Sequence, residues 1–138
     1  LTKKGDAIWR EEKARLYPKD MPMGEAVAAP VLNPTAEKWH DIIRKVESTE
    51  ESNWRLAVIE ADIILDSLLE KLNLPGQTIG DKLKAVEPSD FLTLDNAWEA
   101  HKARNNIAHQ GGEFLFNQRE ARRIIALYES VFNEFHII

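Results

Sequence analysis

The chain has 138 residues, 43% of them hydrophobic, no cysteine and a formal net charge of −5. That length holds one domain with a single core, and the hydrophobic share excludes wholesale disorder. The missing cysteines exclude a disulfide scaffold, a thiol nucleophile and cysteine-based zinc sites, and they fit a cytoplasmic, reducing compartment.

No apolar run approaches a bilayer span and no signal peptide is visible, so no transmembrane segment is expected. Because the chain begins at Leu1, an upstream segment tethering it to a membrane stays an open alternative. The acidic balance argues against binding nucleic acid by bulk electrostatics, and nothing points to DNA specificity. The charge is uneven, however. Residues 94–123 hold five basic side chains against four acidic ones, and the segments on either side are net acidic.

Residues 1–33 read as an N-terminal arm. The run "YPKDMPMGEAVAAPVLNP" has no helical or strand period and predicts an extended segment. "AIWREEKARLY" before it has the composition of a short helix. Residues 34–138 then read as one helical domain. Asn33-Pro34 is a start signal, with an N-cap asparagine and a proline at the first helical position. Trp39, Ile42, Ile43 and Val46 follow as an apolar stripe. A second helix begins near Ser52. In it Trp54, Val58, Ala61, Leu65, Leu68 and Leu72 recur at helical spacing, and Leu74-Pro75-Gly76 is the expected stop.

A short helix is predicted around "TIGDKLKAV", capped by Thr78. A fourth runs from Ser89 or Thr93 to His109, stopped by Gly111-Gly112, and "EFLF" after it suits a short extended segment. The last opens on "NQRE", with capping-box spacing from Asn117 to Glu120. Its apolar stripe is Ala121, Ile124, Leu127, Tyr128, Val131 and Phe135. Four main helices plus a short one, joined by short connections, predict an all-α antiparallel bundle.

The fourth helix ends in "HKARNNIAHQGG", a density of hydrogen-bonding groups that a core helix does not need. At 100° per residue Ala97, Ala100, Ala103 and Ile107 share one side, a small-residue face suited to close helix approach or to a dimer. His101, Lys102, Asn105, His109 and Trp98 share another, with Arg104 at its edge. Arg104 and His109 lie about 140° apart, so they touch only if the long arginine curls round, and they can line one groove, particularly if a second copy of the helix faces the first. The chemistry of the patch suits RNA. Arginine presents a planar fork to phosphate, histidine transfers protons near neutral pH, and Asn105 can orient an attacking 2′-hydroxyl. His109 faces the negative end of the helix dipole, which suits an acid or phosphate-binding role better than that of a base.

"RNNIAH", Arg104 to His109, resembles the arginine–four residues–histidine motif of HEPN (higher eukaryotes and prokaryotes nucleotide-binding) domains. A polar residue directly after the arginine, here Asn105, is typical of their ribonuclease-active members. The resemblance covers roughly residues 35–135. It implies a helical bundle that dimerises, so that two motifs form one composite site cleaving RNA without metal. The catalytic set it implies is Arg104, Asn105 and His109, with His101, Lys102, Arg119, Arg122 and Arg123 as candidate binding residues. Toxin members regulated by a nucleotidyltransferase antitoxin carry a tyrosine two positions after the histidine. Gly111 stands there in this chain, so that modification is excluded.

The competing expectation is a non-catalytic helical dimerisation module, the soluble part of a larger membrane-attached protein. In that case the motif is a capped helix end with a surface ion pair. His40 and His136 are expected to be structural or exposed, and Trp39, Trp54 and Trp98 to pack in the core. Arg119, Arg122 and Arg123 serve equally well to balance acidic neighbours. Glu60, Asp62, Asp66 and Glu70 lack the Glu-x-x-His spacing of di-iron bundles, which predicts a solvated acidic face. No HExxH, P-loop, dinucleotide fingerprint or GxSxG occurs, so no metal or cofactor is expected.

Overall fold

The computed structural model describes residues 33–109 and 116–138, and within them the chain is an all-helical bundle without strands. Five α-helices follow in order: α1 (Pro34–Val46), α2 (Glu51–Lys71), α3 (Ile79–Lys84), α4 (Leu94–His109) and α5 (Gln118–Glu134). A short 3₁₀ turn, Pro88–Asp90, precedes α4. The N-terminal arm, the Gly111-Gly112 stop and most of the "EFLF" segment lie outside the described residues.

The helix starts follow the sequence signals. The Thr78 side chain accepts a hydrogen bond from the Asp81 amide at 3.0 Å, and Asn117 accepts one from the Glu120 amide at 2.8 Å. Each satisfies an amide that has no partner within its helix. The start of α4 is capped from a distance. The Glu134 carboxylate accepts from the Leu92 and Thr93 amides and from the Thr93 hydroxyl. Burial pushes that carboxyl up, but the three bonds outweigh it and hold Glu134 below the usual carboxylate value.

The end of α2 comes earlier than the Pro75-Gly76 signal. Asn73 turns left-handed at φ 61°, its amide bonding to the Glu70 carbonyl and that of Leu74 to the Leu69 carbonyl. This is a Schellman closure, with Leu74 folded back against the core. Leu72 therefore falls past the helix, 38% exposed, instead of joining the apolar stripe. The end of α5 repeats the arrangement around His136 at φ 57°, with Ile137 bonding to the Phe132 carbonyl.

The centre of the bundle is α2, which packs against all four other helices. Such a helix needs apolar residues around more than one narrow stripe, and Ala57, Ile64 and Leu69 join Val58, Ala61, Leu65 and Leu68 in the core. Trp39 is buried edge-on against Phe132, whereas Trp54 and Trp98 are only partly buried. The small face of α4 also points inward. Ala97 and Ala100 are fully buried and Ala103 and Ile107 nearly so, letting α2 and α5 approach closely. That face is spent inside the bundle and is not open to a dimer partner.

The left-handed position of His136 yields a stability expectation. A Cβ is disfavoured there and glycine is not. His136→Gly should raise stability by about 0.5–1 kcal/mol, measured as a higher urea midpoint at unchanged slope.

Candidate functional site

The chemistry-bearing residues of α4 fall on two adjoining ranks. His101 and Arg104 turn toward α2, while Trp98, Lys102, Asn105 and His109 run along the outer side at intervals of four, three and four residues. Lys102 and His109 are exposed, and Trp98 and Asn105 are half-buried. Trp98 and Lys102, with Asp95 and Glu99, line an open depression of about 480 Å³.

The inner rank is organised by a residue that the sequence pattern assigns to a solvated surface. Asp62 of α2 is buried, at 4% exposure. One carboxylate oxygen, Oδ1, accepts a 2.7 Å bond from the Tyr128 hydroxyl of α5. His101 Nδ1 lies 3.2 Å from both oxygens. Arg104 Nε stands 3.7 Å from Oδ2, an ion pair without a hydrogen bond, and that nitrogen is buried with no other partner. Asn105 links His101 and Arg104: its Nδ2 is 3.4 Å from His101 Nε2, and its Oδ1 accepts from Arg104 Nη1 at 3.3 Å. His101 is thus a satisfied histidine, with partners at both ring nitrogens and its side chain only 14% exposed. Arg104 keeps 32% of its side chain in solvent.

Of the four acids expected on a solvated face only Asp62 is buried; Glu60, Asp66 and Glu70 keep to the exposed side of α2 and are paired there. Glu60 holds Lys45 of α1 at 3.0 Å. Asp66 and Glu70 both reach Lys82 of α3 at 2.6 Å. The hydrogen bonds that Lys82 donates to these two carboxylates hold it above the usual lysine value. Among the described residues no group of three acidic or histidine side chains converges as a metal site.

The sequence did carry a signal for Asp62. It lies one helical turn from Val58 and three residues before Leu65, inside the apolar stripe, where an acid has to find partners.

The remaining candidates are dispersed. His109 is exposed at the C-terminal end of α4, and His40 and His136 are exposed too. Arg119 is exposed near the start of α5. Arg122 makes a two-pronged pair with Glu47, and Arg123 binds both Glu120 and Glu99. Each guanidinium is held more firmly protonated by the hydrogen bonds to its carboxylates. Both therefore balance acidic neighbours.

Tyr128 offers a direct test of the buried network. Burial first, then the charge and hydrogen bond of Asp62, push its phenol far above the ordinary tyrosine value, with only Arg104 pulling the other way. The folded chain keeps this phenol neutral, whereas the unfolded chain ionises it near pH ~10. Its contribution to stability is therefore complete below about pH 10 and declines as pH rises beyond that. Tyr128→Phe should cost about 2 kcal/mol at neutral pH, the size of a hydrogen bond to a charged acceptor. The difference from wild type should narrow above about pH 10. Urea unfolding of both proteins on either side of that pH measures this, and a constant difference would contradict the buried Tyr128–Asp62 bond.

The chain matches no protein-family model, no curated protein and no solved structure, so its site is read from its own geometry.

Proposed function

We propose that this chain is a HEPN-like helical domain that binds RNA and cleaves it without metal, through a site completed by a second copy. The observation that carries the reading is the state of Arg104. A buried carboxylate neutralises it from behind and Asn105 holds one nitrogen, yet about a third of the side chain remains in solvent. A cation so anchored is prepared for an external anion, and a guanidinium fork fits a phosphodiester. Exposed His109 lies on the same helix, about 140° round from Arg104. A two-fold partner can bring His109 of one copy to the phosphate that Arg104 of the other holds. Since the alanine face of α4 is buried, the dimer uses the outer rank of Trp98, Lys102, Asn105 and His109.

In the reaction the 2′-oxygen of RNA forms a bond to the adjacent phosphorus as the bond to the 5′-oxygen breaks. The products are a 2′,3′-cyclic phosphate and a 5′-hydroxyl end. Arg104 neutralises charge on the phosphoryl oxygens, and Asn105 orients the 2′-hydroxyl. His109 donates a proton to the leaving 5′-oxygen, the acid role that its helix end favours, and the 2′-proton passes to solvent.

The test is incubation of the purified chain with mixed single-stranded RNAs, with and without EDTA. His109→Ala should lower turnover by roughly 10²–10⁴-fold with little loss of stability, because the ring is exposed at a helix end. Arg104→Ala should weaken both binding and turnover, and also lower stability, because it removes the cation facing buried Asp62. Arg104→Lys should restore activity only in part. EDTA should change nothing. Cleavage that disappears with chelator, or that survives in the histidine variant, would sink the mechanism. Failure to bind or cleave any RNA would favour a non-catalytic interaction module.

Assembly is tested separately. Light scattering at tens of micromolar (roughly the range of a modest interface) should give a dimer, and Trp98→Glu should give a monomer without RNA cleavage. A wild-type monomer that still cleaves would exclude the composite site.

A further inference from the structure

We infer that Asp62 and His101 are positioning residues for Arg104 and Asn105, acting through a fixed histidine tautomer. The inference rests on the RNA reading of the site only in naming phosphodiester as the ligand that Arg104 meets.

The logic begins with the carboxylate. A ring nitrogen 3.2 Å from both oxygens of buried Asp62 carries the proton, so neutral His101 is the Nδ1–H tautomer. Its Nε2 is then an acceptor. The only polar group of Asn105 that can face an acceptor is the amide nitrogen, which lies 3.4 Å away. That choice turns the Asn105 carbonyl outward, where it accepts from Arg104 Nη1 at 3.3 Å. The orientation of an exposed-edge amide, otherwise two-fold ambiguous, is thus dictated from the core. With the opposite tautomer the amide would flip, and its NH₂ would meet the guanidinium donor against donor.

Charge closes the ring: Arg104 Nε stands over Asp62 Oδ2 at 3.7 Å. Asp62 and Asn105 hold one edge of the guanidinium, and among the described residues no bond engages Nη2. Neither Asp62 nor His101 touches the substrate in this scheme. The hydroxyl of Tyr128 also binds Asp62, but it is not a link between Asp62 and Arg104.

Two measurements test the device. Long-range ¹H–¹⁵N spectra of the intact chain should place His101 in the Nδ1–H tautomer. The Asn105 side-chain amide resonances should shift in both Asp62→Asn and His101→Ala. RNA binding by His101→Ala should weaken roughly tenfold, about one hydrogen bond's worth. Thr78→Ala, which removes the cap of α3 and touches no member of the network, should lower the unfolding midpoint while leaving RNA affinity within about twofold. A His101 ring protonated on Nε2 alone would overturn the inference whatever the RNA result. So would His101→Ala that loses stability but keeps wild-type affinity, since that is a structural role only. If Asp62→Asn fails to fold, His101→Ala alone decides. A wild-type chain that binds no RNA would sink the functional reading, and the tautomer and amide spectra would then decide the positioning device on their own.

Discussion

The structure depends on one buried carboxylate. Asp62 sits among apolar side chains at the centre of α2, where an unpaired charge would cost several kcal/mol or force protonation. Its partners come from two other helices: Tyr128 from α5, and His101 and Arg104 from α4. Satisfying it requires all three helices to meet at one level and one rotation. Apolar packing tolerates small slips between helices, but a carboxylate with directional partners does not. The network therefore fixes the rotation of α4, and with it which of that helix's polar residues face inward and which face out.

The other acids of α2 extend the same principle outward. Glu60 binds α1 through Lys45, and Asp66 and Glu70 bind α3 through Lys82. These pairs differ in weight. Lys45–Glu60 is partly exposed, and pairs of that kind contribute little to stability. Lys82 is covered, with its side chain 3% exposed, and it sends its ammonium to two partly exposed carboxylates at once, so it ties α3 to α2 more closely. In the present fold both chiefly select the placement of the helix they hold, while hydrophobic burial drives the collapse.

A network of this kind also bears on function. The groups that would meet an anion, Arg104 and Asn105, are reached through the core by hydrogen bonds and charge, and not left to solvent. Such anchoring reduces the reorganisation needed when charge develops on a bound phosphate. His109 has no such support among the described residues. In the composite reading it is oriented by the second copy and the RNA.

Much of this was legible in the chain itself. The periodicities of Trp39, Ile42 and Val46 and of Ala121 through Val131 define their helices, and Thr78 and Asn117 cap where their spacing predicts. "RNNIAH" marks the chemically dense helix end. These features are local: a cap, a stripe or a helix terminus is set by residues within one or two turns. Tertiary structure decided what depends on several helices at once. It placed Asp62 inside and Asp66 outside, although both are acids on one helix. It turned His101 from a surface residue into a link of the buried network, and directed the alanine face of α4 inward. It ended α2 at Lys71, with left-handed Asn73 turning Leu74 of the expected stop back to the core. A burial choice of this sort is a contest between desolvation and partners supplied by segments roughly 40 or more residues away, and no window of sequence contains both sides of it.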